Sequence, residues 1–285
     1  VTDAMLTTVP AAFHGNVDHA LLTAVALAVT GWRRERGEDT TSVLLNLEGH
    51  GRDTAAAPGA DLSGTVGWFT TIHPLRLDLS GIDLDDALAA GPAAGRAVKT
   101  VKEHLAAVPD HGIGYGLLRY LDADTGHDLA AHPAPQISFN YLGRPTAGTG
   151  GGTDIPWLPV AGFPHGGTQD PDMPAAAVVD INAVTVDTPD GPVLRAHWSA
   201  PAGLLDTADL TELSDRFTAA ATALTRHTRN PDTGGLTPSD LPLVRLPQDT
   251  IEDLEQRYGP LGTVWPTAPL HTGLLFHALL AGDDP

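Results

Sequence analysis

Leu45-Asn46-Leu47-Glu48-Gly49-His50-Gly51-Arg52-Asp53 is the stretch around which the chain is organised. The apolar run Val43-Leu44-Leu45 leads into it as a strand, and side chains two apart on an extended segment point the same way. A carboxylate, an imidazole and a guanidinium, Glu48, His50 and Arg52, thus fall on alternate positions and are expected to face one cavity. Gly49 and Gly51 leave room for a second backbone or a ligand. The plain alternative is a strand running into a polar glycine turn with a surface ion pair; on this stretch alone both remain open.

The chain has 285 residues, enough to bury a substantial core as one large or two small domains. With 42% hydrophobic and 18% charged residues it reads as globular rather than disordered. A formal net charge of -19, with 16 Lys and Arg scattered along the chain, argues against nucleic acid or an anionic membrane as partner. No apolar run reaches the ~18 to 20 residues of a membrane span, and the N-terminus lacks the order of a signal peptide, so the expected location is cytoplasmic. The absence of cysteine removes disulfides, thiolate catalysis and Cys-ligated zinc.

Leu21, Leu22, Val25, Ala26 and Val29 recur at helical spacing up to Trp32 and the Arg33-Arg34-Glu35-Arg36 cluster, which predicts an amphipathic helix ending at Gly37. The arginines suit its C-terminal dipole and need no ligand. Residues 65–77 read as one or two strands bent at Gly67, residues 83–107 as helix broken at Gly91-Pro92, and residues from Gly114 as a short helix. Pro135 to Tyr141 is a third strand. Ala177–Thr188 and Val193–Ser199, joined at Pro189-Asp190-Gly191, read as a hairpin. Asp206 to Arg229 is a long amphipathic helix. The Gly-, Pro- and Thr-rich stretch 144–175 reads as loop and PDTGGLTPSDLP, from Pro231, as linker; Trp265 onward opens another helix.

Four blocks in order, EGHGRD (48–53), VGWFTTIHP (66–74), VKEHLAAVPDHGIGYGLLRYL (101–121) and ISFNYLGR (137–144), resemble the epimerization domains of nonribosomal peptide synthetases, within the condensation-domain superfamily. The resemblance covers only the second half of such a domain. The tail VWPTAPLHTGLLFHALL is similar to the opening of a following condensation domain. The fold it implies is α+β, one chloramphenicol-acetyltransferase-like lobe with a mixed sheet and helices packed on it. Residues 1–232 would form that lobe, 233–262 a linker and 263–285 the start of the next domain.

The resemblance gives roles to four residues: Glu48 as general acid or base at an amino-acid Cα, Arg52 as its electrostatic partner, and Asn140 and Tyr141 as groups lining the same cavity. It implies a carrier-protein-bound aminoacyl or peptidyl thioester as substrate, on phosphopantetheine, and no intrinsic cofactor. Neighbouring synthetase domains are the other partners. The family's HHxxxDG signature belongs to the first lobe and no HH dipeptide occurs here; His14-Gly15-Asn16-Val17-Asp18 reads as a helix entry with His14 at a turn. Asp53, His73 and Arg144 stand where the family usually has Glu, Tyr and Gln. The chain is expected to be half of an epimerase, inactive alone, or else a non-catalytic docking platform between modules. Thirteen histidines offer no HExxH spacing, so metal is not expected; Gly112–Gly116 lacks the dinucleotide spacing, and no GxSxG occurs. The apolar stripe Leu270, Leu274, Leu275, Ala278 and Leu279 is expected to pack on the lobe or on another copy.

Overall fold

The computed structural model describes residues 1–52, 59–62, 64–145 and 173–281. Asp53 and the run TAGTGGGTD lie outside the described residues. Two short helices, α1 (Thr2–Leu6) and α2 (Thr8–Ala12), precede the long α3 (Val17–Glu35). Strands β1 (Ser42–Gly49) and β2 (Thr71–Asp78) are followed by α4 (Leu84–Leu88), α5 (Pro92–Ala106), a tight turn at Pro109–Gly112, α6 (Tyr115–Tyr120) and α7 (Ala123–Ala130). Then come β3 (Ile137–Tyr141), β4 (Val179–Thr188), β5 (Gly191–Ser199), α8 (Thr207–His227), α9 (Gln248–Tyr258) and α10 (Pro269–Ala281).

The five strands form one sheet in the order β2-β1-β3-β4-β5. The two outer pairings are antiparallel and the two inner ones parallel, so the fold is α+β with a mixed sheet, as the resemblance implied. Alternation divides each strand between two environments. Val43 and Leu45, Leu75 and Leu77, Ile137 and Phe139, and Val179, Ile181 and Ala183 are buried in one core. Leu44, Asn46 and Glu48, with Ser138, Asn140, Asp180 and Asn182, lie on the other face.

The first long helix differs from its expected one-sided pattern: every residue of α3 from Ala20 to Gly31 is buried. The sheet lies on one side of it, α8 and α5 on others, and α1 and α2 close its N-terminal half. Ala20, Ala24, Ala26 and Ala28 keep those neighbours close, which is why a helix buried all round can carry so few large side chains. Its terminal arginines do find partners: Arg33 Nη1 donates to Ser42 O at 2.9 Å, Arg34 pairs with Asp85, and Arg36 pairs with Asp209 and Glu212 of α8. The strand expected from residue 65 begins only at Thr71, and α7 forms where the sequence pattern predicts no element.

The linker-like stretch holds more structure than its composition suggests. Leu236, Leu241 and Ile251 form a small second core with α9. Two lysines of α5 hold it to the lobe. Lys102 Nζ donates to Phe13 O at 2.8 Å and to both Asp240 oxygens at 2.6 Å, and Lys99 pairs with Glu252 at 3.0 Å. Helix α10 forms, but its stripe does not pack on the lobe: Leu270, Leu274, Leu275 and Leu279 are all more than half exposed. Leucines occupy every side of α10 rather than one, so no single face selects a seat.

Removing Asp240 would leave the Lys102 ammonium buried with one carbonyl acceptor, a loss of about 3 kcal/mol. Asp240→Ala should therefore undock residues 236–261 and open that stretch to limited proteolysis, while the lobe keeps its urea midpoint. Continued protection would show that the small core holds without the ion pair.

Candidate functional site

Glu48 is the penultimate residue of β1, and the parallel register sets it directly beside Asn140 of β3. Their strands are about 5 Å apart and their side chains leave the same face. The row continues: Asn140 is the register partner of Asn182 on β4, and Asn182 that of His197 on β5. Asn140 Nδ2 donates to Asn182 Oδ1 at 3.4 Å, and Asn182 Nδ2 donates to Asp180 Oδ2 at 2.6 Å. Burial, and then the negative charge of Asp180, raise the Glu48 carboxyl above the ordinary glutamate range. A carboxyl so tuned is suited to hold and release a proton nearer neutrality.

Tyr141 is not on that row, contrary to the expectation that all four residues meet, and Arg52 lies beyond the strand, although it borders one cavity with Glu48 and His50. The strand ends at Gly49, and Gly51 turns the chain with φ +61; a Cβ there would lie 1.6 Å from Phe69 O. Beyond this turn the period-two argument no longer applies. Arg52 Nη2 donates to Thr65 O at 2.8 Å, its Nη1 donates to Leu62 O, and its guanidinium lies 4.3 Å over the Phe69 ring. It ties Leu62, Thr65 and Phe69 to the end of β1. Tyr141 is one residue from Asn140 and so alternates to the core face, where its hydroxyl bonds Thr185 Oγ1 at 2.9 Å.

The end of β1 opens on a cavity of about 570 Å³ lined by Glu48, His50, Arg52, Asp18, His19 and Lys102, so the three ionisable residues of 48–52 do face one cavity; Asn140 and Tyr141, expected to line it as well, are not among its lining residues. His73, on the core face of β2, closes its floor: it is only 6% exposed, and its Nδ1 has no hydrogen-bond partner. Burial holds this imidazole below the ordinary histidine range, hence neutral. The turn Asp110-His111-Gly112 is left-handed at all three residues. Gly112 is required there, since a Cβ would meet the His73 ring at 2.1 Å. The HGIGYG motif is thus a cavity wall rather than a dinucleotide loop. Among the described residues no group of three His, Asp or Glu is placed to hold a metal ion.

His14 has φ 49 and turns the chain into α3, whose N-cap is Asn16. Asn16 N donates to His19 Nδ1 at 3.0 Å and His19 N donates to Asn16 Oδ1 at 3.2 Å. His19 therefore caps the helix as a neutral ring. Asn182 and Asp180 are site residues that the sequence pattern does not single out. Their signal is the polar alternation of VDINAV, which gives a face but not a neighbour.

The condensation-domain family model matches residues 2–151, just over half of the chain, and the chain belongs to that family, the kind of domain nonribosomal peptide synthetases carry. Among curated proteins it is 33% identical over 287 residues to a linear gramicidin synthase from Brevibacillus parabrevis, covering 99% of this chain and 5% of that protein. It is 36% identical over 288 residues to chondramide synthase cmdD of Chondromyces crocatus, covering 100% of this chain and 7% of that protein. Among solved structures, the epimerization domain from the third module of tyrocidine synthetase B superposes with a TM-score of 0.63 at 29% identity, over 80% of this chain and 45% of that domain. The chain thus spans less than half of that domain and a small fraction of the synthases.

Burial and then the Lys102 charge pull the His19 imidazole from 6.5 down to about 4, against the opposing charges of Asp240 and Glu103. Because its folded-state value is depressed, the stabilisation it gives is complete above pH 6.5 and is lost as pH falls towards 4. Urea unfolding at pH 4.5 against pH 7 should reveal a loss on the order of 1 kcal/mol once solvent screening is allowed for. His19→Gln, which can still close the capping box, should flatten that difference; an unchanged slope would mean the ring is not the titrating group.

Proposed function

We propose that this chain contributes one wall of an epimerase site acting on an aminoacyl or peptidyl thioester carried by phosphopantetheine on a carrier protein. The observation that carries the reading is the pairing of Glu48 with Asn140 on the polar sheet face, with the Glu48 carboxyl raised by burial and by Asp180. The similarity to a solved epimerization domain supports it.

Inversion at Cα removes a proton on one face, holds the electron pair in the thioester carbonyl as an enolate, and returns a proton on the opposite face. Glu48 serves one face. A second group is needed across the carbon, and the two-lobed fold that the resemblance implies would supply it from the N-terminal lobe. Asn140 lies beside Glu48 and orders the polar wall of the site. Tyr141 acts from the core side, fixing β3 against Thr185, and Arg52 acts by holding Leu62 and Thr65 at the cavity rim.

The test presents an aminoacyl-carrier protein to the chain alone and to the chain joined with an N-terminal lobe, following D-product and solvent deuterium uptake. Turnover is expected only in the joined form, and Glu48→Gln should lower deuterium uptake there by about 10²-fold or more. Uptake that survives Glu48→Gln would remove Glu48 from the chemistry. No turnover in either form, with carrier or neighbouring domains still bound, would favour the docking-platform reading.

A further inference from the structure

Three polar side chains, Asn140, Asn182 and Asp180, connect in series on the sheet face that holds Glu48, and the chemistry of the last one constrains the others. A carboxylate oxygen only accepts hydrogen bonds. The 2.6 Å bond to Asp180 Oδ2 therefore fixes which end of the Asn182 amide is its nitrogen. With Nδ2 so committed, Asn182 presents Oδ1 towards β3, and Asn140 must meet it with its own Nδ2. The Asn140 carbonyl oxygen is then left for the β1 side of the row, where Glu48 is its register partner.

We propose that Asp180 and Asn182 are positioning residues of the Glu48 site: the Asp180 carboxylate sets the polarity of both amides, so that Asn140 offers Glu48 an acceptor and not a donor. The inference rests on the epimerase reading for its purpose but not for its test. An acceptor beside a carboxyl group suits the protonated acid, which can donate to it, and finds nothing to bond in the carboxylate. The negative charge of Asp180 acts in the same sense. Both effects favour the protonated form of Glu48 over its carboxylate and so bias it towards delivering a proton to the enolate.

Other ionisable groups border the same cavity: Asp18 and His19 from α3, Lys102 from α5, Asp110 and His111 from the turn, and His50 at the exit of β1. Arg52 is committed to the carbonyls of Leu62 and Thr65, and His197 stands two strands further along the row. None of them is altered by changes at positions 180 and 182, so they form a constant background.

The experiment is a carboxyl ¹³C NMR titration of Glu48 in the full chain, with the signal assigned by its loss in Glu48→Gln. Asp180→Asn removes the charge and the polarity constraint; Asn182→Ala keeps the charge and cuts the connection, freeing Asn140 to turn its amide nitrogen towards Glu48. Both variants should lower the Glu48 pKa, Asp180→Asn by at least about half a unit, roughly threefold in the proton equilibrium, and Asn182→Ala by less. Asp180→Glu, which keeps an acceptor-only partner, should recover part of the shift, and thermal melts report folding of each variant. A shift in Asp180→Asn without one in Asn182→Ala would reduce the effect to charge and overturn the amide relay. No shift in either would overturn the proposal. Because no turnover is measured, the expected shifts in a chain that fails the deuterium assay even when joined with an N-terminal lobe would sink the epimerase reading and leave this one intact.

Discussion

The parallel pairing of β1 with β3 is the constraint on which the rest depends. Its register is fixed from the core side, where Leu45 and Phe139 are fully buried and Ile137 nearly so. A slip of one residue would turn those side chains out and bury Glu48 and Asn140 in their place. The same packing that stabilises the lobe therefore holds a carboxyl and an amide side by side on its polar face. The β3–β4 pairing extends the row, because burial of Val179 and Ile181 fixes which residues of β4 face the site.

Core and site meet again at the end of β1. α3 supplies the central apolar mass and, at its first turn, Asp18 and His19 on the cavity wall. α5 packs on that helix and sends Lys102 to the cavity rim and to Asp240 beyond it. The stretch 236–261 is thereby tied to the site region rather than hanging from the lobe. Burial keeps His19 and His73 neutral and Asp18 and Glu48 raised above ordinary acid values. Two acids and two imidazoles of one cavity wall biased towards neutrality suit proton transfer at carbon, and the bias comes at some expense of stability.

Much of this is legible in residue order. The hairpin announces itself by alternation and Asp190-Gly191, α8 by its apolar face and the Asp206 cap, and β3 by ISFNY. Glu48 stands out because it heads an alternation of ionisable residues and glycines at the end of an apolar run. The misplacements have definite causes. Arg52 does border the cavity with Glu48 and His50, but the strand stops at Gly49 and its guanidinium is taken up by the carbonyls of Leu62 and Thr65. Tyr141 follows Asn140 by one position, so parity alone sends it to the other face. α3 looks one-sided because its surroundings are long-range: nothing local says that α8, α5 and the sheet will enclose it. Asn182 and Asp180 have visible parity, but their neighbour on β3 is set by a pairing across some forty residues.

The absence of cysteine makes the central claim directly testable. Register partners on adjacent strands have Cα atoms about 5 Å apart, within the range a disulfide spans. Glu48→Cys combined with Asn140→Cys, oxidised mildly in the full chain, should close an intramolecular disulfide, while Glu48→Cys combined with Tyr141→Cys, whose side chains leave opposite faces, should not. Closure of the second pair in preference to the first would place β1 and β3 in another register and contradict the account.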